Sequence, residues 1–215
     1  MESFRQAGRM SMFSVTRFWT VSVVLATLAV AGCAPLPKAQ YWDGWFQHVD
    51  PPRYTFEVPE GWRPAAATDY PSLERAELEM PRDDTALIST RGAWIRVVSA
   101  SGPGGWYTRR DFSFELSERE KQLLWERFSA RLIQAVPPDE RPTLTLESLG
   151  FEYYGQNRPL RLRFRADGPG GSVQWTVLEF HGSSGLVTLA HVGTPENPEE
   201  GISGFEVLAQ SFRFE

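Results

Sequence analysis

The chain has 215 residues, of which 13% are aromatic, and its 22 Lys and Arg are outnumbered by 27 Asp and Glu, so its net charge is −5. This acidic balance argues against a nucleic-acid-binding protein, because such proteins depend on a strong positive field. The single cysteine excludes an intrachain disulfide, so an aromatic-rich core must carry the stability of the fold.

The N-terminal residues have the pattern of a secretory leader. Arg5, Arg9 and Arg17 precede an apolar stretch, Phe18 to Val30, and Glu2 is the only acidic residue before it. The stretch has about 13 residues, whereas a membrane-spanning helix needs about 20. It has the length of the apolar region of a signal peptide, so we expect it to be cleaved rather than to span the membrane.

The apolar stretch ends in Val-Ala-Gly-Cys at residues 30–33, which resembles the bacterial lipobox. The resemblance implies that the Cys33 thiol is diacylated, that residues 1–32 are cleaved off, and that the new α-amine is acylated. Residues 33–40 would then be the acylated cysteine and a short tether, and residues 41–215 a single domain facing the periplasm. The alternative is an ordinary signal peptide, which would leave Cys33 as a free thiol or a buried apolar side chain.

The residue after the cysteine is Ala34 rather than Asp. By analogy with the sorting rule of enteric bacteria, this implies the periplasmic face of the outer membrane rather than the inner membrane. The leader contains three Arg and one Glu, so its removal shifts the net charge from −5 to −7.

The first half of the domain favours strands. Alternating apolar residues predict a strand at 54–58 that ends in a turn at 59–61, and a second strand at 75–80. Residues 86–100 predict a longer strand with a bulge at Gly92.

The second half predicts a helix, four strands and a second helix. Ser117 and Glu120 form a capping-box pattern at the start of a helix over 117–135. Four alternating segments separated by turn residues predict an antiparallel meander: 143–155, 160–166, 173–181 and 186–192. Asn197, Pro198 and Glu200 predict the start of the second helix, whose buried face would comprise Ile202, Phe205, Leu208 and Ala209.

Two short motifs in this order of elements resemble the PsbP-like superfamily. They are a strand followed by Pro59 to Trp62, and an aliphatic helix leading into Ser and Phe over 208–212. The resemblance implies an α+β fold, a mainly antiparallel β-sheet flanked by two helices in a sandwich. Known members are mostly non-catalytic accessory or assembly factors, and several are exported lipoproteins. No binding motif is matched, so no functional residue follows from the resemblance.

The sequence supports no catalytic residue, metal site or cofactor. If residues 182–185 close a hairpin, His181 and His191 lie on opposite faces of the sheet, roughly 15 Å apart, so they do not share a metal. His48 lies in another part of the sequence. The Gly-Ser-Ser-Gly segment joins two strands, whereas a nucleophile elbow needs a strand followed by a helix.

Two surfaces are candidates for interactions. Arg161, Arg163 and Arg165 alternate with apolar residues and would line one sheet face that binds anionic lipid headgroups, lipopolysaccharide or an acidic partner. The alternative is a solvated face in which Glu152 lies opposite Arg161.

The second candidate lies just after the tether. Trp42 and Trp45 belong to an aromatic segment at 41–46 whose rings would rest at a membrane interface or pack over one end of the sheet.

These observations predict a lipid-anchored protein of the bacterial envelope that is not an enzyme. Its partners would be the bilayer, through acylated Cys33, and an envelope protein, and it would act as a binding, accessory or assembly factor. The alternative is an envelope hydrolase whose site has no recognisable motif.

Overall fold

In the computed structural model the chain separates into two units, residues 1–37 and 38–215. The structure describes residues 39–66, 69, 85–101, 115–134, 138, 141–168, 171–194 and 196–215. Cys33 and the predicted strand at 75–80 lie outside these residues. Within the described residues no helix is long and apolar enough to cross a membrane.

The described residues form eleven strands and two helices. In chain order they are β1 (Ala39–Trp42), β2 (Trp45–His48), β3 (Tyr54–Glu57), β4 (Trp62–Pro64), β5 (Thr85–Ser89), β6 (Trp94–Ser101), α1 (Glu118–Ile133), β7 (Thr143–Phe151), β8 (Leu160–Gly168), β9 (Gly171–His181), β10 (Gly185–Val192), α2 (Ile202–Ser211) and β11 (Arg213–Phe214). A large sheet has the order β4-β5-β6-β10-β9-β8-β7, and a small sheet has the order β1-β2-β3-β11. Neighbouring strands are antiparallel in both sheets.

The large sheet separates two apolar clusters. Leu124, Phe128 and Leu132 of α1 pack on one face of the sheet with Phe164 and Trp175, whose rings are stacked with centroids 6.1 Å apart. On the other face, α2 and the small sheet pack against β9 and β10 through a second cluster that includes Phe46, Phe56, Phe180, Phe205 and Phe212. The fold is therefore an α+β sandwich, which confirms the predicted fold class.

The second half of the domain follows the prediction closely. The four strands β7 to β10 form an antiparallel meander in which His181 pairs with Leu186, and Thr176 with His191. Ser117 caps α1, with both halves of the capping box formed. These features were predictable because each depends on residues that are close together in sequence.

Residues 86–100 do not form one bulged strand, so this prediction is wrong. Gly92 has φ +88° and lies in a tight turn that separates β5 from β6. The Ser89 hydroxyl stabilises the turn by accepting hydrogen bonds from the backbone N–H groups of Arg91 and Ala93, at 3.3 and 2.9 Å. Residues 86–100 are therefore a hairpin.

The start of the second helix was also predicted wrongly. Helix α2 begins at Ile202, after Gly201 with φ +80° and no side-chain cap. The Asn197 N–H donates instead to the Thr194 hydroxyl at 3.1 Å, and the Asn197 carbonyl accepts from Glu200 N–H at 3.0 Å. The polar residues expected to cap the helix therefore close a turn before it. Phe205, Leu208 and Ala209 are buried as predicted.

One residue of the first sequence motif, Trp62, contacts the second helix near its start. The Trp62 indole of β4 lies against the first turn of α2, where glycine leaves room for it. A Cβ atom at Gly201 would lie 2.6 Å from Trp62 Cζ2, and one at Gly204 would lie 2.1 Å from Trp62 Nε1. Both distances are far shorter than van der Waals contact, so these two glycines allow helix and indole to approach.

Candidate functional site

The three predicted arginines share one face of β8. Arg161, Arg163 and Arg165 alternate with the buried residues Leu160, Leu162 and Phe164. The alternation predicted from the sequence is therefore present, and the guanidinium groups point to the side of the large sheet on which α2 packs.

Each of these arginines has carboxylate partners, and we call the resulting set of charges the arginine ladder. Arg161 pairs with two glutamates, Arg163 with two more and Arg165 with one aspartate. The pairs are Arg161 with Glu152 at 2.8 Å and with Glu206 at 3.5 Å, Arg163 with Glu147 at 3.0 Å and directly with Glu199, and Arg165 with Asp167 at 3.0 Å.

The ladder differs from the sequence prediction in its partners. Gly150, not Glu152, lies opposite Arg161, although Glu152 still reaches the guanidinium from just beyond the end of β7. Glu147 is the extra residue at a β-bulge, where the register shifts between Leu146 and Ser148. This position brings the Glu147 carboxylate to Arg163 and to the Gln174 amide.

The negative charges of the ladder outnumber its positive charges, because five carboxylates surround three guanidiniums. Burial is the largest influence on the pKa of Arg161 and lowers it, but the hydrogen bond with Glu152 and the neighbouring negative groups raise it overall. Burial, followed by the charge of Glu206, raises the pKa of the adjacent Tyr154. This arrangement favours a structural role that ties β8 to α2 and its preceding loop, while anion binding by the arginines stays a prediction.

Trp42 and Trp45 flank a β-turn at the tip of the β1–β2 hairpin. Asp43 and Gly44 both have positive φ, 44° and 77°, which matches the type I′ turn that suits the twist of antiparallel strands. The two tryptophans lie directly opposite each other across the hairpin. The sequence analysis missed this hairpin, although Asp-Gly between aromatic residues is a strong signal for one.

The hairpin also extends the domain towards the N-terminus. Ala39 and Gln40 lie in β1, two residues before the predicted start of the domain. Between Cys33 and Ala39 there are five residues, so even a fully extended chain covers only about 20 Å from one to the other.

The histidines occupy separate positions. His48 Nδ1 lies 2.9 Å from the Asp50 carbonyl oxygen, and His191 Nε2 donates to the Glu200 carbonyl at 2.8 Å. Burial, the largest influence, holds the pKa of His191 below its ordinary value of 6.5. Among the described residues, no three His, Cys, Asp or Glu side chains are grouped as metal ligands.

His181 lines a cleft of about 110 Å³ at one end of the large sheet, together with Arg158 and Phe214. The Arg158 guanidinium lies over the Tyr153 ring, 5.0 Å from its centroid. Neither a carboxylate nor a hydroxyl side chain lines the cleft, which therefore presents cationic, amide and aromatic groups rather than a nucleophile with a base.

Comparison with known proteins identifies solved structures with a similar fold. No protein-family model and no curated protein matches the chain. Among solved structures, it is similar to the cyanobacterial PsbP (CyanoP) of Synechocystis sp., with 14% identity and a TM-score of 0.53 over 85% of this chain and 97% of that one. This similarity confirms the PsbP-like fold.

Two further structures match with lower scores. A protein of Bacteroides thetaiotaomicron has 8% identity and a TM-score of 0.44, over 75% of this chain and 45% of that one. LpqN of Mycobacterium tuberculosis, described as involved in cell envelope biogenesis, has 12% identity and a TM-score of 0.42, over 78% of this chain and 88% of that one.

Proposed function

We propose that this protein is a bacterial envelope lipoprotein, anchored through acylated Cys33 at the periplasmic face of the outer membrane. In this proposal the PsbP-like domain is a non-catalytic accessory or assembly factor that binds another envelope component. The observation that carries the proposal is the position of Cys33. It ends a basic and apolar leader, and it stands six residues before Ala39, the first residue of β1.

Acylation of Cys33 would anchor the protein firmly in the bilayer. Each buried methylene of an acyl chain contributes about 0.8 kcal/mol, and one acyl chain alone gives only marginal binding. Diacylation of the thiol and acylation of the α-amine would supply several chains on one residue. A tether of about 20 Å then keeps the domain at the bilayer surface, which raises its effective concentration for partners in the same membrane.

The environment of the histidines supports binding rather than catalysis. His48 and His191 each lie within hydrogen-bond distance of a backbone carbonyl oxygen, which gives both rings structural roles. His181 lines a cleft without carboxylate or hydroxyl side chains. The fold itself does not determine function, so the non-catalytic role rests on these side chains and on the accessory roles common among PsbP-like proteins.

The proposal is tested by fractionating cells that express either of two versions of the protein. The full chain should remain with the membranes after an alkaline carbonate wash and should band with the outer membrane on a density gradient. Residues 34–215, exported behind an ordinary cleavable signal peptide, should be released with the soluble periplasmic proteins. This second version is a better control than a Cys33 substitution, because it leaves no apolar leader attached. Release of the full chain by carbonate would contradict the proposal, and banding with the inner membrane would contradict the assignment to the outer membrane.

A further inference from the structure

The β1–β2 hairpin carries two tryptophans on the outward face of the small sheet. Trp42 is 46% exposed, and Trp45, directly opposite it, is partly exposed. We propose that these two indoles rest in the interfacial region of the bilayer and form a second contact that orients the anchored domain. The inference rests on the proposed anchor at Cys33 and adds to it a defined membrane-facing surface.

The hairpin holds the two indoles on a fixed support. Tyr41 and Phe46 form the adjacent pair on the opposite face of the hairpin, and their rings meet edge to face with centroids 5.0 Å apart. Tyr41 is itself 42% exposed. Phe46 is fully buried and stacks on Phe56 at 4.8 Å. The Tyr41 hydroxyl is hydrogen-bonded to the Thr85 hydroxyl of the large sheet. Because one side of the hairpin is fixed in this way, the period of two along each strand directs Trp42 and Trp45 outward.

The position of the hairpin in the chain identifies the bilayer as the occupant of this surface. Trp42 is nine residues after Cys33, so the extended chain covers at most about 30 Å between them. A lipid-anchored Cys33 therefore confines Trp42 to the neighbourhood of the headgroups. Tryptophan is enriched at membrane interfaces because its ring is apolar and its N–H is polar.

The neighbours of the tryptophans favour zwitterionic headgroups. Gln40 and Gln47 pair two positions along the hairpin from the tryptophans, and the alternation places them on the same face. Glu57 of β3 lies opposite Trp45 and adds a negative charge. The Gln47 amide donates to the Glu215 carboxylate at 2.9 and 3.0 Å, and Arg213 of β11 lies on this face as well. The surface therefore carries two carboxylates and one guanidinium beside its aromatic and amide groups, and this mixture of charges suits the bilayer interface without requiring anionic lipid.

This contact would orient the rest of the domain. The small sheet packs on the face of the large sheet opposite α1. With the hairpin on the bilayer, α1 and its side of the large sheet point away from the membrane. The surface available to a periplasmic partner is then the α1 side.

The experiment uses the mature acylated chain in zwitterionic vesicles whose lipids carry bromine near the headgroup end of the acyl chains. Bromine quenches only indoles that enter the bilayer. Wild-type fluorescence should fall relative to vesicles without bromine, and this loss should disappear in the Trp42→Phe/Trp45→Phe variant. Trp125→Phe, on α1, is the matched control and should leave the absolute loss unchanged. The single variant Trp42→Phe should remove part of the loss, which provides a second measurement if the double variant folds poorly.

The outcomes separate this inference from the proposed function. If the protein is acylated and floats with the vesicles but bromine does not quench it, the anchor stands and the membrane contact is wrong. Equal quenching of the wild type and a folded double variant would also overturn the contact. If the protein lacks acyl chains and does not float, the anchor fails and the inference fails with it.

Discussion

Gly204 tests how the Trp62 indole fits against the first turn of α2. It lies inside α2 (Ile202–Ser211) without the positive φ of Gly201, so its backbone accepts any residue. In an isolated helix, Gly204→Ala should therefore increase stability by about 1 kcal/mol. In this fold the added Cβ would lie 2.1 Å from Trp62 Nε1, and the indole or the helix has to move.

The expected magnitude follows from these opposing effects. Overpacking a fitted contact costs about 1–3 kcal/mol, and the gain in helix propensity offsets about 1 kcal/mol of it. Gly204→Ala should therefore range from neutral to a loss of about 2 kcal/mol in the free energy of unfolding. In a Trp62→Ala background the clash is absent, and the same substitution should increase stability by about 1 kcal/mol.

The measurement is a double-mutant cycle in urea, followed by far-UV circular dichroism on four proteins: wild type, Gly204→Ala, Trp62→Ala and the double variant. We expect a coupling energy of about 1–3 kcal/mol between the two positions. A gain in stability from Gly204→Ala that is the same in both backgrounds would refute the argument that glycine is needed for the indole.

Three further predictions concern the ladder, the buried histidine and the helix cap. Arg163→Gln removes two ion pairs and should lower the free energy of unfolding in urea by about 1 kcal/mol. Arg165→Gln removes one exposed ion pair and should change that free energy by less than about 0.5 kcal/mol. Equal losses in the two variants would contradict the ion pairs assigned to these arginines. Because the pKa of His191 is lowered in the fold from its ordinary 6.5, the unfolded chain takes up the proton first. The contribution of neutral His191 to the free energy of unfolding is therefore fully present above pH 6.5 and is lost as the pH falls through the pKa of the folded state. In urea titrations at pH 7.5 and 5.5, His191→Gln should lose less stability between the two pH values than the wild type. An equal loss in the variant would exclude this histidine as the cause. Ser117→Ala should lower the free energy of unfolding by about 1 kcal/mol in the same assay, and an unchanged value would show that the capping box contributes little.

The parts of the fold that depend on short-range patterns were predictable from the sequence. Alternating residues and turn segments were sufficient for the meander, and residues 182–185 were short enough to predict the His181–Leu186 pairing. The capping box of α1 needs only Ser117 and Glu120. In each case the residues that determine the structure lie within a few positions of one another.

Predictions failed where several local structures compete or where partners are distant in sequence. A glycine in an apolar run is compatible with a bulge or a turn, and the Ser89 hydroxyl favours the turn at Gly92. Thr194 binds the Asn197 N–H and so keeps that residue out of the helix. No short-range pattern indicated that Glu199 would reach Arg163, because the contact brings together residues 36 positions apart in the chain.

We propose above all that Cys33 holds the domain at the membrane through acyl chains. The most direct test is the intact mass of the protein extracted from membranes, measured beside a Cys33→Ala version. We predict a mass equal to residues 33–215 plus acyl chains, and loss of both the cleavage and the added mass in the variant. An unacylated protein, or one cut at another residue, would contradict the claim and remove the basis for the proposed membrane contact of the β1–β2 hairpin.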